Sequence, residues 1–370
     1  MMRKFFVIVV MICLPFAVSA QYVARAYWWT LEQGKTFFRN RAYGQALMAF
    51  EDAKRDRKAM FEQLEQDLIV VLSLRDVRRM YDSLDDVEKY IMENRLDKAA
   101  RALKELYYRT PRDSLGGSAN NALKAIGALK NYPEAEYWLG ETYRIEGELN
   151  LALKQYKKAH EQRANLENPA FDVEILYKIV DVLKTKREYI EMEDTAKEII
   201  ALDTLWQGDS GVFARNSMSK ILEVDGIVRF LTIYRYDNIY VEKIHRILGF
   251  FYYASGRHSN APEHLMFSFL IQNTVIINEI IRNHYGFEFT DIDALFSAAE
   301  DIPAIAEYME RVEYYKTVYY LGAAFYAMGK TAAARNFWLV LRDRPKAGQW
   351  AVRSASQLQR PFIEKIVEMP

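Results

Sequence analysis

Three segments of this chain superimpose without a gap. Leu139-Gly140, Tyr143, Gly147 and Ala152 keep the offsets of Leu248-Gly249, Tyr252, Gly256 and Ala261, and again of Leu321-Gly322, Phe325, Gly329 and Ala334. Each position has a steric reason. The Leu-Gly pair lets a neighbouring helix approach where a side chain would block it. The aromatic three residues on fills the space between paired helices, and the second glycine accepts the left-handed backbone that ends a helix. The alanine is small where a second helix crosses the first. Elsewhere apolar residues recur three and four apart, as in Val173, Leu176, Tyr177, Val180 and Leu183. No sustained alternation bounded by hairpin turns appears, so the expected fold is all-α.

Further windows repeat the pattern in part. Gly34, Phe37, Ala46 and Phe50 hold the offsets near the start, and Tyr90, Ala99, Leu103 and Pro111 hold them with Val87 in place of the packing glycine. A sixth, around Ile179, Leu183, Tyr189, Met192 and Ala196, has Val180 there. The pattern resembles the tetratricopeptide repeat, a 34-residue helix-turn-helix unit. That resemblance covers 27–59, 80–112, 133–165, 173–205, 242–274 and 315–347, and implies an α-solenoid of stacked hairpins. The crossing residues at 46, 99, 152, 192, 261 and 334 are separated by 53, 53, 40, 69 and 73 positions, so inserted helices are expected. Met60 to Met80 reads as helix, with Leu64, Leu68 and Leu72 four apart.

Residues 21–205 are expected to form one array of four units and 206–370 a second with inserted helices. The hinge is expected near Gly208-Asp209-Ser210-Gly211, and loops at Pro111–Asn121 and Tyr285–Asp293. Trp350 to Val367 reads as a cap helix over the last unit.

The first twenty residues read as a signal peptide. Arg3 and Lys4 precede an apolar run from Phe5 to Phe16, and Val18-Ser19-Ala20 ends it, with cleavage expected after Ala20. Ile12 before Cys13 does not fit a lipid-attachment signal. Loss of this segment would remove the one cysteine, and with it any disulfide or thiolate site, and leave the 50 acidic side chains two ahead of the basic ones. A periplasmic or secreted protein is expected, with no membrane span in the mature chain, because Lys and Arg interrupt the other apolar stretches. The balanced charge gives no reason to expect a nucleic-acid partner.

Sites for chemistry are sparse. Glu242-x-x-His245 is half of a carboxylate di-iron signature whose second half is missing, since Glu279 and His284 are five apart. His258 and His264 flank a turn and read as solvent-exposed. Lys54-Arg55-Asp56-Arg57-Lys58 reads as a wet helix face. No phosphate loop, dinucleotide loop or nucleophile elbow is present. The expectation is a non-enzyme with no cofactor and no metal.

What needs explaining is the aromatic content, 14% of the chain with 25 tyrosines. In the family that this chain resembles, set positions of each first helix line a concave groove. Here they carry Trp28, Phe38, Tyr81, Tyr137, Arg144, Tyr177, Lys243, Arg246, Phe250, Tyr253, Lys316, Tyr319 and Tyr326. The resemblance thus implies an aromatic, cation-dotted surface for another envelope protein or a peptide segment. Only Lys243 matches the clamp with which some members hold a C-terminal carboxylate, and its Asn partners are absent. Packing of these rings between inserted helices is the alternative for any one of them. Capture of an apolar small molecule or lipid for a transporter is the competing function, and an all-helical hydrolase a third.

Overall fold

The computed structural model describes residues 26–72, 81–95, 97–99, 101–102 and 117–364. The signal segment, Cys13 and Pro111–Gly116 lie outside these residues. The fold is all-α, with no strand among the described residues. The chain divides into two compact units, residues 1–192 and 193–370. The first contains α1 (Tyr27–Arg39), α2 (Tyr43–Leu72), α3 (Tyr81–Met92), α4 (Gly117–Leu129), α5 (Pro133–Ile145), α6 (Leu149–Glu161) and α7 (Phe171–Lys186). The division falls within α8 (Tyr189–Ala201). The second contains α9 (Gly208–Val224), α10 (Gly226–Ile233), α11 (Ile239–Ala254), α12 (Ala261–Asn283), α13 (Ile292–Glu300), α14 (Pro303–Arg311), α15 (Tyr314–Ala327), α16 (Thr331–Arg342) and α17 (Gln349–Gln359).

Six helix ends share one corner. Arg41, Asn94, Gly147, Arg187, Gly256 and Gly329, each seven residues past the packing position, have φ between 55° and 83°. At each, the following N–H reaches five residues back, from Ala42 to Phe37, Arg95 to Tyr90, Glu148 to Tyr143, Glu188 to Leu183, Arg257 to Tyr252 and Lys330 to Phe325, at 2.8–2.9 Å. The corner residue's own N–H bonds three residues back at 2.8–3.2 Å. This paired arrangement is the Schellman ending. Three corners therefore form without glycine, at Arg41, Asn94 and Arg187, where a left-handed side-chain-bearing residue costs about 1–2 kcal/mol.

The packing glycines meet the residue sixteen positions on. A Cβ at Gly34 would collide with the Phe50 ring, at Gly140 it would stand 2.6 Å from Tyr156, at Gly249 2.6 Å from Leu265, and at Gly322 2.9 Å from Trp338. Ala46, Ala152, Ala261 and Ala334 on the crossing helices are fully buried. The small residues thus lie where paired helices touch.

The stacking departs from chain order. The α2 helix lies directly against α5, and Tyr27, Leu31, Phe50, Tyr132 and Leu139 share one core. The corner at Asn94 is not interleaved between those two hairpins. Instead α2 continues for 30 residues, through Met60 to Leu72, and its body packs α4, which in turn holds α3. In the second unit α12 packs on α15 while α13 and α14 loop out between them, and α17 covers α16. Insertions are set aside so that matching hairpins still meet.

Several local expectations are corrected. Gly208 to Gly211 is the first turn of α9, and Gly117-Ser118 opens α4. The cap helix stops at Gln359. Arg57 is not on a wet face. Its guanidinium is fully buried among the Tyr27, Phe61 and Tyr132 rings, 4.6–5.6 Å from their centroids, and its Nε donates to the Leu129 carbonyl at 3.0 Å. One described helix, α12, is long and apolar enough to cross a membrane, contrary to expectation; 78% of its most apolar stretch is buried in protein.

Opposite outcomes are expected from two glycine exchanges. Gly322→Ala gains up to about 1 kcal/mol of helix propensity, but its Cβ meets Trp338 and Phe337, and overpacking of about 1–3 kcal/mol wins. Arg187→Gly, at an exposed corner with φ 62°, gains up to about 1 kcal/mol. Urea unfolding of both variants checks the two signs; stabilisation by Gly322→Ala would refute the close crossing.

Candidate functional site

The residues expected to line a groove separate by unit. In the first unit Trp28 is exposed, and Phe38 and Tyr177 are half-buried. Phe38 packs edge-on against Trp138 at 5.3 Å. Tyr137 is buried among Trp138, Tyr156 and Phe171 and donates to Glu174 at 3.1 Å. Arg144 grips Glu141 through two nitrogens at 3.0 and 3.2 Å, and Lys178 and the Tyr156 hydroxyl join the same carboxylate. Burial pushes the Glu141 carboxyl up, but these donors hold it below its ordinary value. Tyr81 opens α3, and its side chain lies outside the described residues.

In the second unit the expected open face is largely covered. Arg246, Phe250, Tyr253, Lys316 and Tyr319 are buried, and Lys243 and Tyr326 are half-buried. Two partners account for this. Arg246 and Lys316 turn to Glu313, at 2.5 and 2.9 Å, and Arg246 also meets Glu242 at 3.2 Å. Phe250 lies between the Lys316 ammonium, 4.8 Å from its centroid, and Tyr320. The remaining tyrosines are covered by the chain's own residues after α17.

That segment follows from local sequence. Pro361 has no N–H and forces the residue before it out of helical backbone, so α17 ends at Gln359 and Arg360 is extended, with φ −143° and ψ 88°. The chain then crosses α15. Gln357 clamps it as a strand would: its side-chain oxygen accepts from the Phe362 N–H at 2.9 Å, and its amide donates to the Phe362 carbonyl at 3.1 Å. The same amide donates to the Tyr319 hydroxyl at 3.1 Å. Tyr326 donates to the Pro361 carbonyl at 3.2 Å, and the Glu364 N–H donates to the Tyr253 hydroxyl at 3.3 Å.

Glu364 ends the run in a polar cradle. Its carboxylate accepts from Tyr319, Arg353 and, at 3.0 Å, Tyr320. Burial and then the carboxylate raise both phenols, so they remain protonated donors. Burial likewise pushes Tyr253 up to about 12. Trp350 closes the cradle against Tyr319, Tyr320 and Arg353 at 4.7–5.8 Å. Trp350 also lines a cleft of about 550 Å³, which is shared with Met309, Glu310, Glu313, Tyr315, Lys316 and Lys346.

Trp350, Arg353, Gln357 and Glu364 escaped the sequence reading as site residues. The signal was present in α17: Trp350, Arg353 and Gln357 recur three and four apart on one face, a polar-aromatic stripe that a merely solvated cap does not need.

The half-signature at Glu242 serves other bonds. Glu242 accepts from Ser268 at 2.8 Å and Gln272 at 2.7 Å, while His245 shares a 3.0 Å Nδ1–Nδ1 hydrogen bond with His264. His264 is buried, not exposed, and stacks on Trp206 at 5.2 Å because α12 carries it beneath α11. No group of three or more His, Cys, Asp or Glu side chains suited to a metal occurs among the described residues.

Burial, helped by Lys197 and Arg215, drives His264 down to about 3, and burial lowers His245 as well. In the unfolded chain an imidazole takes its proton near pH 6.5, so below that pH the unfolded state binds more protons. The two rings' contribution is complete above about pH 6.5 and is lost as pH falls toward 3, by up to about 1.4 kcal/mol per ring per pH unit. Urea unfolding at pH 7.5 and pH 5.0 is expected to differ by about 2–4 kcal/mol. A double His245→Phe, His264→Phe variant is expected to remove most of that difference; an unchanged difference would refute the neutral pair.

No family model matches this chain, and no solved structure matches it. It is similar to an uncharacterized protein of Treponema pallidum, 21% identical over 336 residues that cover 90% of this chain and 89% of the relative. An uncharacterized protein of Borreliella burgdorferi is 20% identical over 278 residues, 67% of this chain and 86% of that protein. The first similarity runs through both units.

Proposed function

We propose that this chain is a tetratricopeptide-like scaffold, exported by its first twenty residues, that binds a protein partner in the bacterial periplasm or cell envelope without catalysing a reaction. The six shared corners and the glycine crossings support the repeat reading. The observation that carries the binding role is the α11 and α15 face of the second unit, against which the chain's own Pro361–Glu364 is held through main-chain bonds and one carboxylate. A stacked-hairpin frame presents such a face preformed, so a partner need not order it on binding.

In the first unit the most exposed of the expected surface residues whose side chains are described is Trp28, beside the exposed Trp29. A tryptophan anchor removed from an interface costs at least about 2 kcal/mol, near thirty-fold in affinity. A Trp28→Ala, Trp29→Ala variant is therefore expected to lose its partner in purification from the native envelope, with thermal stability nearly unchanged because both rings are more than half exposed. Equal recovery of the same partner by the variant would sink this placement of the surface.

Capture of a small molecule is a second reading, favoured by the cleft of about 550 Å³ beside Trp350. Native mass spectrometry separates the two: a stoichiometric bound metabolite or lipid favours capture, and a bare chain that retains its protein partner favours the scaffold.

A further inference from the structure

The way Pro361–Glu364 is held differs from ordinary core packing. Phe362 and Ile363, its two large apolar side chains, are 52% and 44% exposed, whereas Glu364 is 9% exposed. A segment docked to complete a core would bury its apolar side chains and leave its charge in water. Here the buried bonds come from main-chain groups, which every peptide has, and from one carboxylate. We propose that Tyr253, Tyr319, Tyr320, Arg353 and Gln357 form a recognition site for an extended acidic peptide of a partner protein, and that Pro361–Glu364 occupies it as an intramolecular competitor. This rests on the scaffold reading and adds the ligand's chemistry and its control.

The cradle selects for acid. Without a carboxylate, the Arg353 guanidinium and two buried phenols would lose their common acceptor, a loss that buried polar groups tolerate poorly. Exchange of one acidic occupant for another keeps every donor paired. The resident segment has the advantage of tethering: it begins directly after α17, and short connections give effective concentrations on the order of mM. A partner peptide of modest affinity is thereby excluded until the resident is weakened or a longer peptide makes further contacts. The cleft beside Trp350, whose wall mixes Lys316 and Lys346 with Glu310 and Glu313, is not lined by Pro361–Glu364.

The test uses the full chain and a fluorescent peptide, Arg-Pro-Phe-Ile-Glu, blocked at both ends so that its Glu side chain is the only carboxylate. Glu364→Gln weakens the resident and leaves the cradle side chains in place. Phe362→Pro removes the N–H that Gln357 accepts and is the second variant should the first fold poorly. Amide exchange at Glu364, and at Phe362 in the Glu364→Gln variant, reports release of the segment, and fluorescence polarisation reports binding of the peptide. Release is expected in either variant, with peptide affinity at least ten-fold above the unsubstituted chain and lost at least ten-fold when the peptide carries Gln for Glu. Release without a gain in affinity, or a gain indifferent to the Gln exchange, overturns the acidic-peptide site. No release in either folded variant overturns the competitor. Those failures leave the scaffold reading standing if the partner is still lost with Trp28 and Trp29.

Discussion

Two α-helices joined by a tight corner can lie closely along one another only if the chain reverses direction at once and a gap exists for the returning helix. The left-handed residue supplies the reversal, and the missing side chain seven positions earlier supplies the gap. Four of the six corners combine the two through glycine at the packing position, and there the crossing partner is Phe50, Tyr156, Leu265 or Trp338. A large side chain is thus set against a hole of one methyl group's width. The variety of partners matters less than their position. At these four crossings the returning helix delivers a bulky or branched group sixteen residues on, and interior packing density leaves no room for it and a Cβ together. This local coupling lets long insertions intervene between hairpins without changing the hairpins themselves.

Close packing carries an electrostatic consequence. Helices this rich in Tyr, Arg and Glu cannot approach without burying some polar heads, and buried heads need partners. The second unit answers with closed sets: Glu242 with Ser268, Gln272 and Arg246; Glu313 with Arg246 and Lys316; Glu193 with Tyr252, Arg257 and Lys197. Burial acts against the Glu193 charge, but its three donors bring the carboxyl down to about 2. Arg57 in the first unit shows a different solution, with a guanidinium enclosed by rings and one carbonyl. The tyrosine count that stood out in the sequence therefore has two uses. The rings fill volume, and their hydroxyls donate to carboxylates that would otherwise be stranded.

The helical class and the corners were legible because they depend on residues a few positions apart. Gly147, Gly256 and Gly329 declare the left-handed turn outright. Arg41 and Arg187 do not, and those corners could be placed only by their offset from the clearer copies. What stayed illegible depends on distant residues. Nothing in Lys54-Arg55-Asp56-Arg57-Lys58 marks Arg57 as buried, because the rings that bury it include Tyr132, 75 positions away. His264 reads as a turn residue until α11 brings His245 to it. Whether the expected groove positions of the second unit face solvent depends on where α17 and the residues after it run. A cap helix whose inner face carries Trp350, Arg353 and Gln357 is the part of the sequence that carried that information.

The covering of the α11 and α15 face limits how much aromatic surface the second unit exposes. An open surface of Phe250, Tyr253, Tyr319 and Tyr326 would be a broad aromatic patch, the kind that invites indiscriminate association. Covering it with a segment whose own apolar side chains remain half exposed hides the rings while adding little new core. Such a cover contributes most of its hold through hydrogen bonds to a charged group, and these are strongly directional. On the proposed reading, a competing peptide presents its carboxylate at the same point and an extended main chain alongside Gln357. The segment and the α17 side of its cradle are encoded within fifteen residues, from Trp350 to Glu364, whereas Tyr253, Tyr319 and Tyr320 are brought to them by α11 and α15.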